Sequence, residues 1–112
     1  MKQSEIFLLN KDIAIETVGQ GITRQILGYN DNIMLVKVMF ETGSIGDAHS
    51  HPHVQSTYVE SGKFEVTIDS ETLALVQGDG FLVPENKMHG VVCLEKGVLL
   101  DCFSPVREDF IQ

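Results

Sequence analysis

Apolar and polar residues alternate along most of this chain in short runs, separated by Gly and Asx clusters. The pattern predicts strands rather than helices. After a lead-in with one strand-like piece, EIFLL (5–9), the segments IAIETV (13–18) and ITRQILGY (22–29) alternate around a GQG turn, with Ile22, Arg24 and Ile26 on one face. IMLVKVMF (33–40) is apolar on both faces, which predicts a central, doubly covered strand. ETGSIGDA (41–48) reads as a glycine-rich turn. Beyond it VQSTYVE (54–60), KFEVTID (63–69), TLALV (72–76), FLVP (81–84), HGVVCLE (89–95) and VLLDCFS (98–104) read as strands. The turns between them are SG, SE, QGDG and KG, and only VREDFI (106–111) could form a helical turn. About nine short strands at this spacing predict an all-β antiparallel sandwich or barrel.

Composition narrows the class. The 112 residues fit one domain, 1–112, and 43% of them are hydrophobic. No apolar run approaches the roughly 18 residues of a membrane span, and the four-residue apolar run in MKQSEIFLLNKD is too short for a secretory signal core. Cys93 and Cys102 lie inside apolar runs and read as buried thiols, which favours a reducing cytoplasm over a disulfide framework. The net charge of −8 disfavours nucleic acid and anionic membranes as partners. It also opposes anionic small substrates unless local cations gather at a site.

The histidines supply such a site. Three of the four, His49, His51 and His53, fall within five residues, and His89 lies far downstream. In extended chain His49 and His51 project to one side, and Gln55, Thr57 and Val59 share their parity. His89 can close the set from a neighbouring strand, while His53, where Pro52 can shift the register, is left either as a support behind the ligands or at the rim. Packing or surface histidines are the bland alternative, but H-x-H-x3-Q with a distant fourth His favours one divalent transition metal: Ni, Zn, Fe or Mn. His49, His51, Gln55 and His89 are all neutral ligands, so the full charge of the ion would remain available to a substrate.

The last strand carries a second signal. Asp101 interrupts the apolar run VLL-D-CF and shares a face with Leu99 and Phe103. A carboxylate in that position needs a polar cavity, a cation or a metal. Arg107, one of only two arginines, follows six residues later. A structural Asp101–Arg107 ion pair pinning the tail competes with a functional acid/base plus a substrate-binding guanidinium.

These motifs resemble the cupin superfamily. Gly43, His49, His51, Gln55 and Gly62 match the spacing of the first cupin motif, with Gln in place of the usual Glu, and Gly78, Pro84 and His89 match the second. Asn86 stands where the second motif has Gly, and Cys93 where it has Asn. The resemblance implies a small β-barrel of two antiparallel sheets with His49, His51, Gln55 and His89 as metal ligands. HSHPHVQ, YVESGKFEVTI, LVQGDGFLVPENKMHG and GVLLDCFSPVREDF, across residues 36–110, further resemble the KdgF-type pectin-degradation cupins. Those linearise 4,5-unsaturated uronate monosaccharides from pectin or alginate to open-chain keto sugars. The resemblance implies Asp101 as acid/base, with Phe103 and Arg107 contacting the uronate. A metal-dependent cupin dioxygenase and a non-catalytic sugar-binding cupin are the competing readings. Strands apolar on both faces, IMLVKVMF and VLLDCF, lead us to expect a homodimer.

Overall fold

The computed structural model describes residues 2–112. Eight strands run in chain order: β1 (Glu16–Gly19), β2 (Ile22–Asn30), β3 (Ile33–Phe40), β4 (Ile45–His49), β5 (Val54–Ile68), β6 (Glu71–Val76), β7 (Gly80–Val83) and β8 (His89–Ser104). Two 3-10 turns, Asn10–Asp12 and Glu108–Phe110, complete the elements, and every strand pairing is antiparallel. No helix among the described residues is long and apolar enough to cross a membrane.

The two expected sheets are present as two ladders that share strands. One runs β1-β2-β3, then the C-terminal half of β8, the N-terminal half of β5, and β7. The other joins β4, the N-terminal half of β8, the C-terminal half of β5, and β6. Twelve residues of straight strand between His89 and Asp101 would span about 40 Å, more than the molecule's longest dimension of 37 Å. Both residues nevertheless line one cavity. β8 must therefore fold back between them, near Gly97, with β5 following it near Gly62.

This corrects the expected SG and KG turns. The glycines there do not end strands; they let two strands cross layers at close range. Gly62 has φ +83°, and a Cβ on it would sit 2.5 Å from the Gly97 Cα, while a side chain on Gly97 would strike the Ser61 carbonyl. Bulges between Val59 and Phe64 switch the inward parity of β5 from Gln55, Thr57 and Val59 to Phe64 and Val66. The core fills the space between the ladders. Phe40 and Phe64 meet edge-on at 5.1 Å, with Val59, Cys93 and Leu99 in the same cluster.

Other expectations need revision. EIFLL forms no strand: Ile6 and Phe7 are 75% and 84% exposed, and the nearby backbone bond runs from Ser4 N to the Tyr29 carbonyl. The segment 13–18 joins the sheet only at Glu16, although Ile13 is already extended. ETGSIGDA contributes β4, because its backbone pairs with β8 although its side chains carry no alternating pattern. β3 is central, yet its outer face is only partly covered, with Ile33 and Leu35 exposed. Cys93 is fully buried, but Cys102 is only half-buried; both thiols are free.

Candidate metal centre and acid site

Strand register gathers the histidines. His49 ends β4, His89 begins β8, and the two are cross-strand partners with ring centroids 4.4 Å apart. His51 follows β4 in the loop into β5 and is buried against His89 at 4.7 Å. The Asn86 amide donates to the His51 carbonyl at 2.8 Å, holding that loop. Asn86 adopts φ +63°, so the residue replacing the motif's Gly is one of the few that tolerates a left-handed backbone. Candidate ligand atoms of His49, His51 and His89 all lie within 4.8 Å of one another.

Hydrogen bonding directs these rings. Each Nδ1 sits against a backbone carbonyl: His49 on Asp47 at 2.9 Å, His51 on His53 at 3.0 Å, His89 on Lys87 at 2.9 Å. A carbonyl can only accept, so Nδ1 carries the hydrogen and Nε2 keeps a lone pair. The His89 Nε2 is buried without a partner among the described residues. The His51 Nε2 faces the Gln55 Oε1 at 3.0 Å. That amide cannot simply turn around, since its Nε2 donates to the Thr57 hydroxyl at 2.9 Å. Two lone pairs thus face each other beside a third, an arrangement that suits a cation. Burial lowers the proton affinity of His51, against the opposing contact with Gln55, and burial likewise lowers that of His89. Protonation is therefore the weaker way to satisfy the cluster. Three imidazoles and an amide oxygen fit a borderline divalent ion, and the exposed His49 leaves one side open to solvent.

The acid stands next to this cluster. Thr57 of β5 and Asp101 of β8 are register partners, and the Thr57 hydroxyl donates to Asp101 Oδ1 at 2.7 Å. Gln55 Nε2 makes a longer contact with the same oxygen, 3.4 Å. A short chain of donors therefore runs from the amide of Gln55 through Thr57 to the carboxylate. Burial pushes the Asp101 carboxyl up to about 6, even though Thr57, Arg107, Gln55 and His49 all favour its charged form. The acid is ionised at neutral pH but holds its proton more firmly than an exposed carboxyl.

Arg107 does not form the alternative ion pair with Asp101. It pairs with Asp109 through Nε at 3.1 Å and Nη2 at 3.0 Å. The pull of Asp109 comes from the tail itself, two residues away, while Arg107 stays near enough to Asp101 to favour its charged form. Phe103 is buried, edge-on to His51 at 5.7 Å, with the Arg107 guanidinium 5.1 Å from its ring centre. A cavity of about 250 Å³ is lined by His49, Gln55, His89, Asp101, Phe103 and Arg107. A larger cleft of about 770 Å³ between Thr17 and Val98 contains none of these donors. His53 supports the cluster through its backbone, its carbonyl accepting from the His51 Nδ1, while its own Nδ1 is buried with no partner among the described residues.

Three contributors escaped the sequence reading. Thr57 had the right parity to reach Asp101, but only the β5–β8 register shows that it does. Arg24 and Phe110 also line the cavity, brought there from β2 and from the tail. No local pattern announces that meeting.

Comparison with known proteins agrees with this geometry. The Cupin domain family matches residues 36–102. The chain is 44% identical over 107 residues to "Pectin degradation protein KdgF" of Dickeya dadantii (strain 3937), covering 94% of this chain and 97% of that protein. Among solved structures, an RmlC-like cupin from Shewanella frigidimarina NCIMB 400 superposes with a TM-score of 0.95 at 45% identity, covering 98% and 99% of the two chains. KdgF from Halomonas sp. superposes with a TM-score of 0.90 at 38% identity, covering 96% and 99%. With its two crossing ladders, clustered histidines and relatives of matching length, the chain belongs to the cupin family, among its KdgF-like members.

Proposed function

We propose that this chain opens the ring of 4,5-unsaturated uronate monosaccharides released from pectin or alginate, giving linear keto sugars. The observation that carries this reading is the enclosed carboxylate of Asp101, hydrogen-bonded to Thr57 beside three clustered histidines in a small cavity. The pectin-degradation role of the Dickeya dadantii relative, and the likeness to a second KdgF from Halomonas sp., support the substrate class.

The reaction is an isomerisation. The anomeric hydroxyl loses a proton, the bond between C1 and the ring oxygen breaks to leave an aldehyde at C1, and the released enolate takes a proton at carbon to become a ketone. Asp101 accepts the first proton and returns one to carbon, a role worth about 10²–10⁴ in rate. The Thr57 hydroxyl holds the carboxylate in place for both steps. Phe103 provides an apolar wall for the sugar, and Arg107 binds the uronate carboxylate. A divalent ion held by His49, His51, Gln55 and His89 supplies Lewis acidity toward developing negative charge on oxygen. The opposing field of a −8 protein is overcome locally by cationic groups at the cavity.

The test is turnover of unsaturated galacturonate by the purified, metal-loaded protein, followed by loss of enol-ether absorbance and by NMR of the products. Ring opening well above the no-enzyme rate is expected. A rate equal to that control contradicts the reading, and oxygen consumption would favour a dioxygenase instead.

A further inference from the structure

The chain has two arginines in 112 residues, and both line the same cavity. Arg107 reaches it from the tail and Arg24 from β2. We infer that Arg24 is a second anion-binding residue of this cavity, one that selects acidic over neutral sugars; the inference rests on the proposed ring-opening reaction.

Arg24 is held like a binding group. Its side chain is 17% exposed, and its Nε donates to Glu16 Oε1 at 3.1 Å, which orients the guanidinium from behind. Its terminal nitrogens have no protein acceptor among the described residues. Arg107 is arranged in the same way: Asp109 takes Nε and one terminal nitrogen, and the other has no protein acceptor among the described residues. The Phe110 ring packs against both guanidiniums, at 4.0 Å from Arg24 and 4.2 Å from Arg107. Gathering two like charges around one ring is unfavourable unless an anion offsets them. Glu16 and Asp109, 45% and 59% exposed, offset them only partly, and Asp101, the carboxylate already lining the cavity, is hydrogen-bonded to Thr57 and paired with neither guanidinium. A substrate carboxylate would complete the balance through the planar donor fork that distinguishes Arg from Lys.

The bland alternative is that Arg24 merely pins Phe110 and the tail. The two roles separate in a substrate comparison. Kinetics are measured for wild type, Arg24→Gln and Glu16→Gln with unsaturated galacturonate and with its neutral C6 methyl ester, alongside melting temperature and metal content. Arg24→Gln is expected to raise KM for the acid about 10–100-fold, change kcat less than about threefold, and erase most of the preference for acid over ester. Glu16→Gln, a structurally mild change at a partly exposed carboxylate, should raise KM for the acid about 2–5-fold and so weaken the preference without erasing it. An unchanged KM and preference in Arg24→Gln, with wild type active, overturns the inference and leaves the proposed reaction standing. Loss of thermal stability with the acid preference intact assigns Arg24 to tail packing and also overturns it. No turnover by wild type rejects the reaction itself, and with it this role for Arg24.

Discussion

The two ends of this barrel are built from the same strands with opposite chemistry. Where β5 and β8 cross layers at Gly62 and Gly97, the inward residues Val59, Phe64, Cys93 and Leu99 close a wholly apolar core. Toward the other end the same strands point Gln55, Thr57, His89 and Asp101 inward. The same strand parity holds on both halves of β8, on either side of the exposed stretch 94–96: residues 89, 91, 93, 99, 101 and 103 face the interior. Geometry is therefore shared between the ends, and side-chain choice alone makes one a core and the other a site. A buried polar group is costly unless paired, so each polar side chain at the site end answers to a partner or to a cation.

Substitutions at the two ends should fail differently. Phe64→Ala at the apolar end should cost about 3–5 kcal/mol of stability, by removing the edge-on contact with Phe40 and leaving a cavity. Urea unfolding checks this, and whatever remains folded should still bind metal. His51→Ala at the other end should instead abolish stoichiometric metal binding, read by elemental analysis, while the apo proteins differ little in stability. A loss of metal from Phe64→Ala with the fold intact would blur the division between the ends.

The division was partly legible in the sequence. Alternation revealed the inward faces of β5 and β8, and the histidine spacing pointed to the metal cluster. Asp101 stood out because a charge interrupts an apolar run. β4 was hidden because ETGSIGDA has no alternating apolar face; its strand is made by backbone pairing with β8. The crossing at Gly62 and Gly97 looked like two turns because glycine marks both turns and close backbone approach. Arg24, Thr57 and Phe110 join the site only through register and tail packing, which local patterns do not encode.

Smaller effects sharpen the account. Because Asp101 titrates near 6 when folded against 3.8 ordinarily, the folded state binds more protons than the unfolded state between those values. Stability therefore falls as pH rises through that window and stays lower above it. In metal-free protein, Asp101→Asn should raise stability at pH 8 by about 1–3 kcal/mol, and the gain should vanish near pH 3.5. Thermal melts across pH read this directly. Thr57→Val keeps the shape but removes the hydroxyl between Gln55 and Asp101. It should cost about 1–3 kcal/mol in stability and lower kcat roughly tenfold, with metal retained.

The most direct measurement is the turnover of unsaturated galacturonate by Asp101→Asn at full metal occupancy. The account predicts a loss of at least about 100-fold in kcat, with wild-type metal content and an intact fold. Near-wild-type turnover in that variant would contradict it.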